Sequence, residues 1–220
     1  MIPIRIDEQM QAACPELKLG LLQCSVVLQP SQPALLAAIA QTIQGLQSLL
    51  KVEDISRLPV IQASRKGYKA CGKDPARYRL SAEALLRRVI QGKGLYQINN
   101  VVDALNLVSI QTGYSIGGYN AALIQGSITL GIGKADEPYE GIGRGALNIS
   151  NLPVLRDTTG AFGTPTSDSV RTSVNEDTEI FLMVFYDFDG QGELKTALDL
   201  SKELLEVHAD AGDFEIEISG

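Results

Sequence analysis

Histidine is almost missing: there is one, His208, in a chain of 220 residues. That excludes a multi-histidine metal centre, and neither a metal nor another cofactor is expected. Cysteine is scarce as well. Cys14, Cys24 and Cys71 are odd in number and lack CxxC spacing, which argues against a disulfide framework or zinc knuckle and fits a reducing cytoplasm. No apolar run reaches the roughly 18 residues of a membrane span, so no membrane partner is expected. The opening MIPIRIDEQM has no basic segment leading into an apolar stretch, so a secretory signal is not expected. Basic residues are the minority, 19 Lys+Arg against 26 Asp+Glu for a net charge of −7, which taken whole speaks against nucleic acid.

What is present is unevenly spread. Residues Ser64 to Lys93 hold nine basic side chains (Arg65, Lys66, Lys69, Lys73, Arg77, Arg79, Arg87, Arg88 and Lys93) against Asp74 and Glu83, a net of +7 that leaves −14 for the rest. From Glu176 onward 13 acids face only Lys195 and Lys202. Such asymmetry fits a polyanion-facing surface backed by an acidic one, or a basic helix paired with acidic neighbours within the fold. The first eight of those basic residues are the candidates for contacts to the phosphates of such a polyanion.

A hydrophobic fraction of 45% with 20% charged residues is that of a folded chain. No repeat, low-complexity tract or linker divides it, and one domain over residues 1–220 is favoured. Strand patterns cover MIPIRID, Leu19 to Leu28, Ile124 to Ile132, Ala146 to Ile149, Val154 to Asp157, Glu179 to Asp187 and Asp213 to Ser219, the EIFLMVFYD run being the most strand-like and expected at a sheet centre. Helical patterns cover Pro33 to Leu50 with Ser31 as cap, part of Asp54 to Lys69, Ser81 to Ile90, Val101 to Thr112 ended by Gly113, and Glu193 to His208. The fold class is α+β, with mixed β-sheets flanked by helices.

The glycine pair Gly131/Gly133 and the trio Gly141/Gly143/Gly145 lack the full spacing of phosphate-cradling loops and read as turns between strands. His208, late in a helix beside acids, reads as structural, since an imidazolium there complements the helix dipole. Two segments carry more. At helical spacing Asn99, just before the helix over 101–112, falls on one side with Asp103 and Asn106, opposite Val102, Leu105 and Val108, and the helix leads to the glycines of Ser115–Asn120, a composition suited to a cleft floor or to a capped, solvated face. Residues 160–171 (GAFGTPTSDSVR) set hydroxyls, an acid and an arginine on one loop.

The run KDPARYRLSAEALLRRVIQGKGLYQINNVVDALNLVSIQTGYSIGGYNAALIQGSI and the later GAFGTPTSDSVRTSVNEDTEIFLMVFYD resemble the B3/B4 domain of the phenylalanyl-tRNA synthetase β subunit, in stand-alone form, over roughly Lys73 to Asp187. The resemblance implies a B3/B4-like α+β fold. It also implies a proofreading role, binding the charged 3′ end of tRNA and hydrolysing tyrosine wrongly attached to tRNA-Phe. The cleft it implies is lined by Asn100, Asp103, Asn106, Gly117, Gly118, Tyr119, Asn120 and Gly163, with Asp168, Ser169 and Arg171 as candidate substitute polar groups. The family's histidine position falls on Gly117 and its strand glutamate on Val184, so no catalytic residue is assigned.

Three functions are therefore weighed. The favoured one is a tRNA or aminoacyl-tRNA-binding module, with ester hydrolysis as its catalytic extension. The alternative is a binding protein for a small, amino-acid-like molecule that kept the cleft and lost both RNA and chemistry. The third is a structural unit that docks on another protein.

Overall fold

The computed structural model describes residues 1–220. Along the chain run β1 (Ile4–Ile6), α1 (Glu8–Ala13), β2 (Lys18–Ser25), α2 (Pro33–Leu49), α3 (Pro59–Ala70), α4 (Ser81–Ile90), α5 (Asn100–Thr112), β3 (Ile116–Asn120), β4 (Ile128–Ile132), β5 (Glu140–Gly141), β6 (Gly145–Ala146), β7 (Pro153–Arg156), β8 (Ala161–Gly163), β9 (Ile180–Asp187), α6 (Leu194–Ala209) and β10 (Gly212–Ser219). The strands form a sheet ordered β10-β2-β9-β3, a second ordered β1-β4-β7-β8, and a hairpin of β5 with β6. Neighbours in the first sheet are antiparallel; in the second only β1 and β4 run parallel.

The continuous apolar run of β9 has a physical cause: both of its faces are covered. Phe181, Met183 and Phe185 join a core made largely with α2, α4, α5 and α6, while Leu182, Val184 and Tyr186 pack toward the second sheet. With successive side chains on opposite faces, a strand buried on both sides has no polar positions to alternate with. Its partner β2 obeys the same register, Leu22 opposite Met183 on one face and Leu21 opposite Val184 on the other. The edge strand β10 has one covered face at most, so Phe214, Ile216 and Ile218 alternate with acids and stay half-buried or exposed. Layer by layer the molecule is helices, sheet, sheet.

The limits of α5 follow local chemistry. Asn99 caps α5 by accepting from the Val102 N–H at 2.9 Å, and Gly113 ends it in the left-handed region at φ +78°. The cap expected at Ser31 is not made. Helix α2 starts after Gln32 without a side-chain cap, because the Ser31 hydroxyl donates instead to Asp103 at 2.6 Å. Strand β3, the sequence IGGYN, lies outside the strand patterns read from the sequence. Glycine disfavours strands, and here pairing with β9 overrides that preference. The expected strand at Ala146 to Ile149 is reduced to the end of the β5–β6 hairpin, and that at Ile124 to Ile132 to β4.

Candidate functional site

A cavity of about 730 Å³ opens where α4, α5 and β3 meet the β5–β6 hairpin and the loop at 164–168. Two backbone hydrogen bonds hold that loop in place, Ser81 N–H to the Pro165 carbonyl at 2.8 Å and Ile142 N–H to the Asp168 carbonyl at 2.9 Å. Thr164 shapes it, its hydroxyl oxygen accepting from the N–H groups of Thr166 and Ser167.

Helix α5 turns a different face to the cavity from the one its polar residues suggest. Val102, Leu105, Asn106 and Ser109 line it, spaced at three, one and three residues as one helical side requires. Asp103 points away and fastens the chain before the helix, accepting from Ser31 and from the Ile98 N–H at 3.0 Å. Asn100, fully buried, ties three segments by accepting from Gln29 N–H and donating to the carbonyls of Val27 and His208. Asn106 is thus the one member of the Asn100/Asp103/Asn106 set in the cavity wall.

The floor is built on β3. Gly118 lines it, and its N–H donates to Asp168 Oδ2 at 3.3 Å. Tyr119 is buried beneath, and its hydroxyl donates to Asp168 Oδ1 at 2.6 Å. A side chain at Gly117 or Gly163 would overlap that hydroxyl, so both glycines make room for the phenol of Tyr119 and not for a ligand. The room at Gly117, where the family resemblance places a histidine, is therefore taken by Tyr119. Val184, the cross-strand partner of Gly117 on β9, is fully buried in the core. Burial pushes the Asp168 carboxyl up to about 7, and the Tyr119 hydroxyl and Gly118 N–H pull it back only in part.

Ser169, Arg171 and Asn120 sit outside the cavity. Ser169 is buried, its N–H bonded to the Phe162 carbonyl and its oxygen accepting from Arg171 N–H. Arg171 forks onto both oxygens of Asp157 at 3.0 and 2.9 Å. Burial acts against the Asp157 charge, but that fork with three backbone N–H donors outweighs it and holds the carboxyl below its usual range. Asn120 caps the turn at 121–123 and donates to Asn175.

The basic stretch divides. Glu83, 1% exposed, is gripped by Arg65 at 2.9 Å and Arg87 at 3.0 Å, with Arg79 at 3.9 Å. Lys73 is buried, donating to the carbonyls of Asn148 and Ser150 and lying 3.6 Å from the Tyr78 ring centroid; burial, then the charge of Arg77, lowers its pKa. Lys66, Lys69 and Arg77 are exposed and away from the cavity. Arg79, Arg87, Arg88 and Lys93 line it, joined by Arg144 from the hairpin. Arg88 covers one face of the exposed Tyr96 ring at 3.8 Å, and its Nε is buried without a partner. Sequence reasoning misses Arg144 and Tyr96: the first stands in a stretch that reads only as turn glycines, and Tyr96 among residues with no periodicity. Five cations thus share a cavity with one carboxyl, beside apolar groups such as Leu85, Ile98, Ile116 and Val174. No group of three or more His, Cys, Asp or Glu stands where it could hold a metal ion, and no helix is long and apolar enough to cross a membrane.

Against known proteins, the model of the B3/4 domain family matches residues 63–202. Among solved structures, an N-terminal fragment of the phenylalanyl-tRNA synthetase beta-subunit from Pyrococcus horikoshii is similar at 12% identity and a TM-score of 0.48, over 99% of this chain and 54% of that one. The chain therefore spans about half the length of that fragment. No curated protein matches it.

Proposed function

The chain belongs to the B3/4 domain family, and from that premise we propose that its cavity binds the aminoacylated 3′ end of a tRNA. One observation carries the reading: five cations, of which Arg88, Lys93 and Arg144 have no carboxylate partner, border a cavity that also has an apolar wall and a single carboxyl. Phosphates of a single-stranded end suit guanidinium forks, and an amino-acid side chain suits the wall of Leu85, Leu105, Ile116 and Val174. The whole-chain acidity bears only on non-specific coating, because the cations stand together at one opening.

The test is a binding titration with charged and uncharged tRNA at low and moderate salt. Expected is binding of the charged form that weakens steeply with salt, as counterion release requires. Binding of free amino acids or amino-acid-like molecules with no tRNA shift would favour the small-molecule reading instead.

A second reading, hydrolysis of the ester, has Asp168 in its favour, the one group in the cavity whose carboxyl gains and loses a proton near neutral pH. A panel of mischarged tRNAs tests it. Turnover that rises with pH through about 7 and is lost in Asp168→Asn supports hydrolysis; no deacylation of any member removes it.

A further inference from the structure

The cavity is ambipolar. Its cations come from α4, its flanks and the β5–β6 hairpin, whereas its lone carboxyl is held on the floor by β3. The hydrogen-bond partners of the Asp168 carboxylate are both neutral, the Tyr119 hydroxyl on Oδ1 and the Gly118 N–H on Oδ2. No cation of the cavity is paired with it. Each oxygen keeps a free lone pair, and the group is fixed in place: Tyr119 is buried, packed edge-on against Phe162 at 5.0 Å between ring centroids, with Gly117 and Gly163 against its hydroxyl. A positioned carboxyl with neutral donors and no counter-charge is completed either by a proton, which burial favours, or by an arriving cation.

We propose that Asp168 anchors the free α-ammonium group of the bound aminoacyl end, with Tyr119 as the residue that positions its carboxylate. This rests on the reading of the cavity as an aminoacyl-tRNA site and adds an orientation to it: phosphates toward Arg79, Arg87, Arg88, Lys93 and Arg144, the amine toward Asp168. The ligand class is narrowed to esters with an unblocked amine. An N-acylated end has lost the charge and two of the donors that Asp168 would take, and adds bulk at a floor closed by β3. The other titratable groups around the carboxyl are buried phenols, Tyr119 on β3, Tyr186 on β9 and Tyr139 before β5, all held protonated by burial first and by the Asp168 charge second. They do not change charge in the neutral range, so Asp168 and the incoming amine govern the pH dependence there.

Two hydrolysis-resistant probes test the proposal: CCA-ended RNA minihelices carrying phenylalanine through a 3′-amide, one with a free amine and one N-acetylated, titrated against the whole protein. The expected result near pH 7.5 is tighter binding of the free-amine probe by about tenfold or more, the scale of a charge-assisted hydrogen bond. That preference should shrink below about pH 7 as Asp168 is protonated, and above about pH 8 as the amine loses its proton. Asp168→Asn should bring the free-amine probe down to the level of the acetylated one. The comparison of probes on the unaltered protein needs no variant, so a folding defect in Asp168→Asn does not remove the test. Equal binding of the two probes, or a preference that survives Asp168→Asn, overturns the proposal and leaves the tRNA-end reading standing. Failure of both probes to bind overturns that reading itself.

Discussion

The hydroxyl of Tyr119 donates to the carboxylate of Asp168 at 2.6 Å, and the two glycines that flank it, Gly117 and Gly163, lie on different strands in different sheets. One phenol thus crosses from the main sheet toward the second and delivers its hydroxyl to the floor of the cavity. The glycines are conditions of that placement.

Gly117→Ala and Gly163→Ala should each destabilise the protein by about 1–3 kcal/mol, the usual cost of forcing a methyl into packed surroundings. The nearest obstacle is the Tyr119 hydroxyl, with ring carbons of the same phenol behind it, so in a Tyr119→Phe background each alanine should cost less but not nothing. A double-mutant cycle in urea measures the difference. The same penalty in both backgrounds would mean that ring carbons or another neighbour, and not the hydroxyl, set the cost.

A raised carboxyl pKa is also a statement about stability. Asp168 binds its proton more tightly in the folded chain, at about 7, than in the unfolded one near 3.8. Its contribution to stability is fully present below the unfolded value and is lost as pH rises through the folded one. Asp157 has the opposite sign: held below its usual range, it supports the fold above that range and loses its effect as acid is added. Melting temperature should therefore carry a decline between about pH 4 and 7 that Asp168→Asn reduces, leaving the part due to Asp187, also raised by burial, while the acid limb set by Asp157 and Glu137 remains. A decline of the same size in Asp168→Asn would place its origin elsewhere.

How much of this is legible in the sequence depends on where each signal lives. The β9 run, the Asn99 cap and the Gly113 stop are local, and the chain shows them directly. Asp168 can be named as a polar loop residue, but its place in the cavity depends on β3, which glycine propensity hides. The face of α5 misleads for a related reason. Its polar residues look outward by composition, yet Asn100 and Asp103 are consumed by tying down the segments at 27–31 and Ile98, so the cavity receives the face of Val102, Leu105, Asn106 and Ser109. The basic stretch is visible as charge, but which of its members are already paired is set by Glu83 and by carbonyls 75 or more residues from Lys73.

Glu83 should prove indispensable to the fold. It is a nearly inaccessible carboxylate between Arg65 and Arg87, with Arg79 close by. Glu83→Gln leaves those guanidinium groups facing one another without their counter-charge, and removing one partner of a buried pair costs about 3–5 kcal/mol. Urea unfolding reads this directly, and a loss under about 1 kcal/mol would class the cluster with solvent-screened surface pairs.

The salt dependence of tRNA binding should separate the basic residues by place rather than by number. Removing one phosphate-neutralising cation from a single-stranded end lowers the slope of log affinity against log salt by about 0.7. Arg88→Ala and Arg144→Ala, at the cavity, should each weaken binding and flatten the slope by about that amount. Lys66→Ala and Lys69→Ala, exposed on α3 away from the opening, should leave both unchanged. Lys73→Met should lower the melting temperature and keep the slope, because its ammonium is already spent on the carbonyls of Asn148 and Ser150. If instead the α3 lysines carry the slope and the cavity arginines do not, RNA lies along α3 and the cavity is free for another ligand.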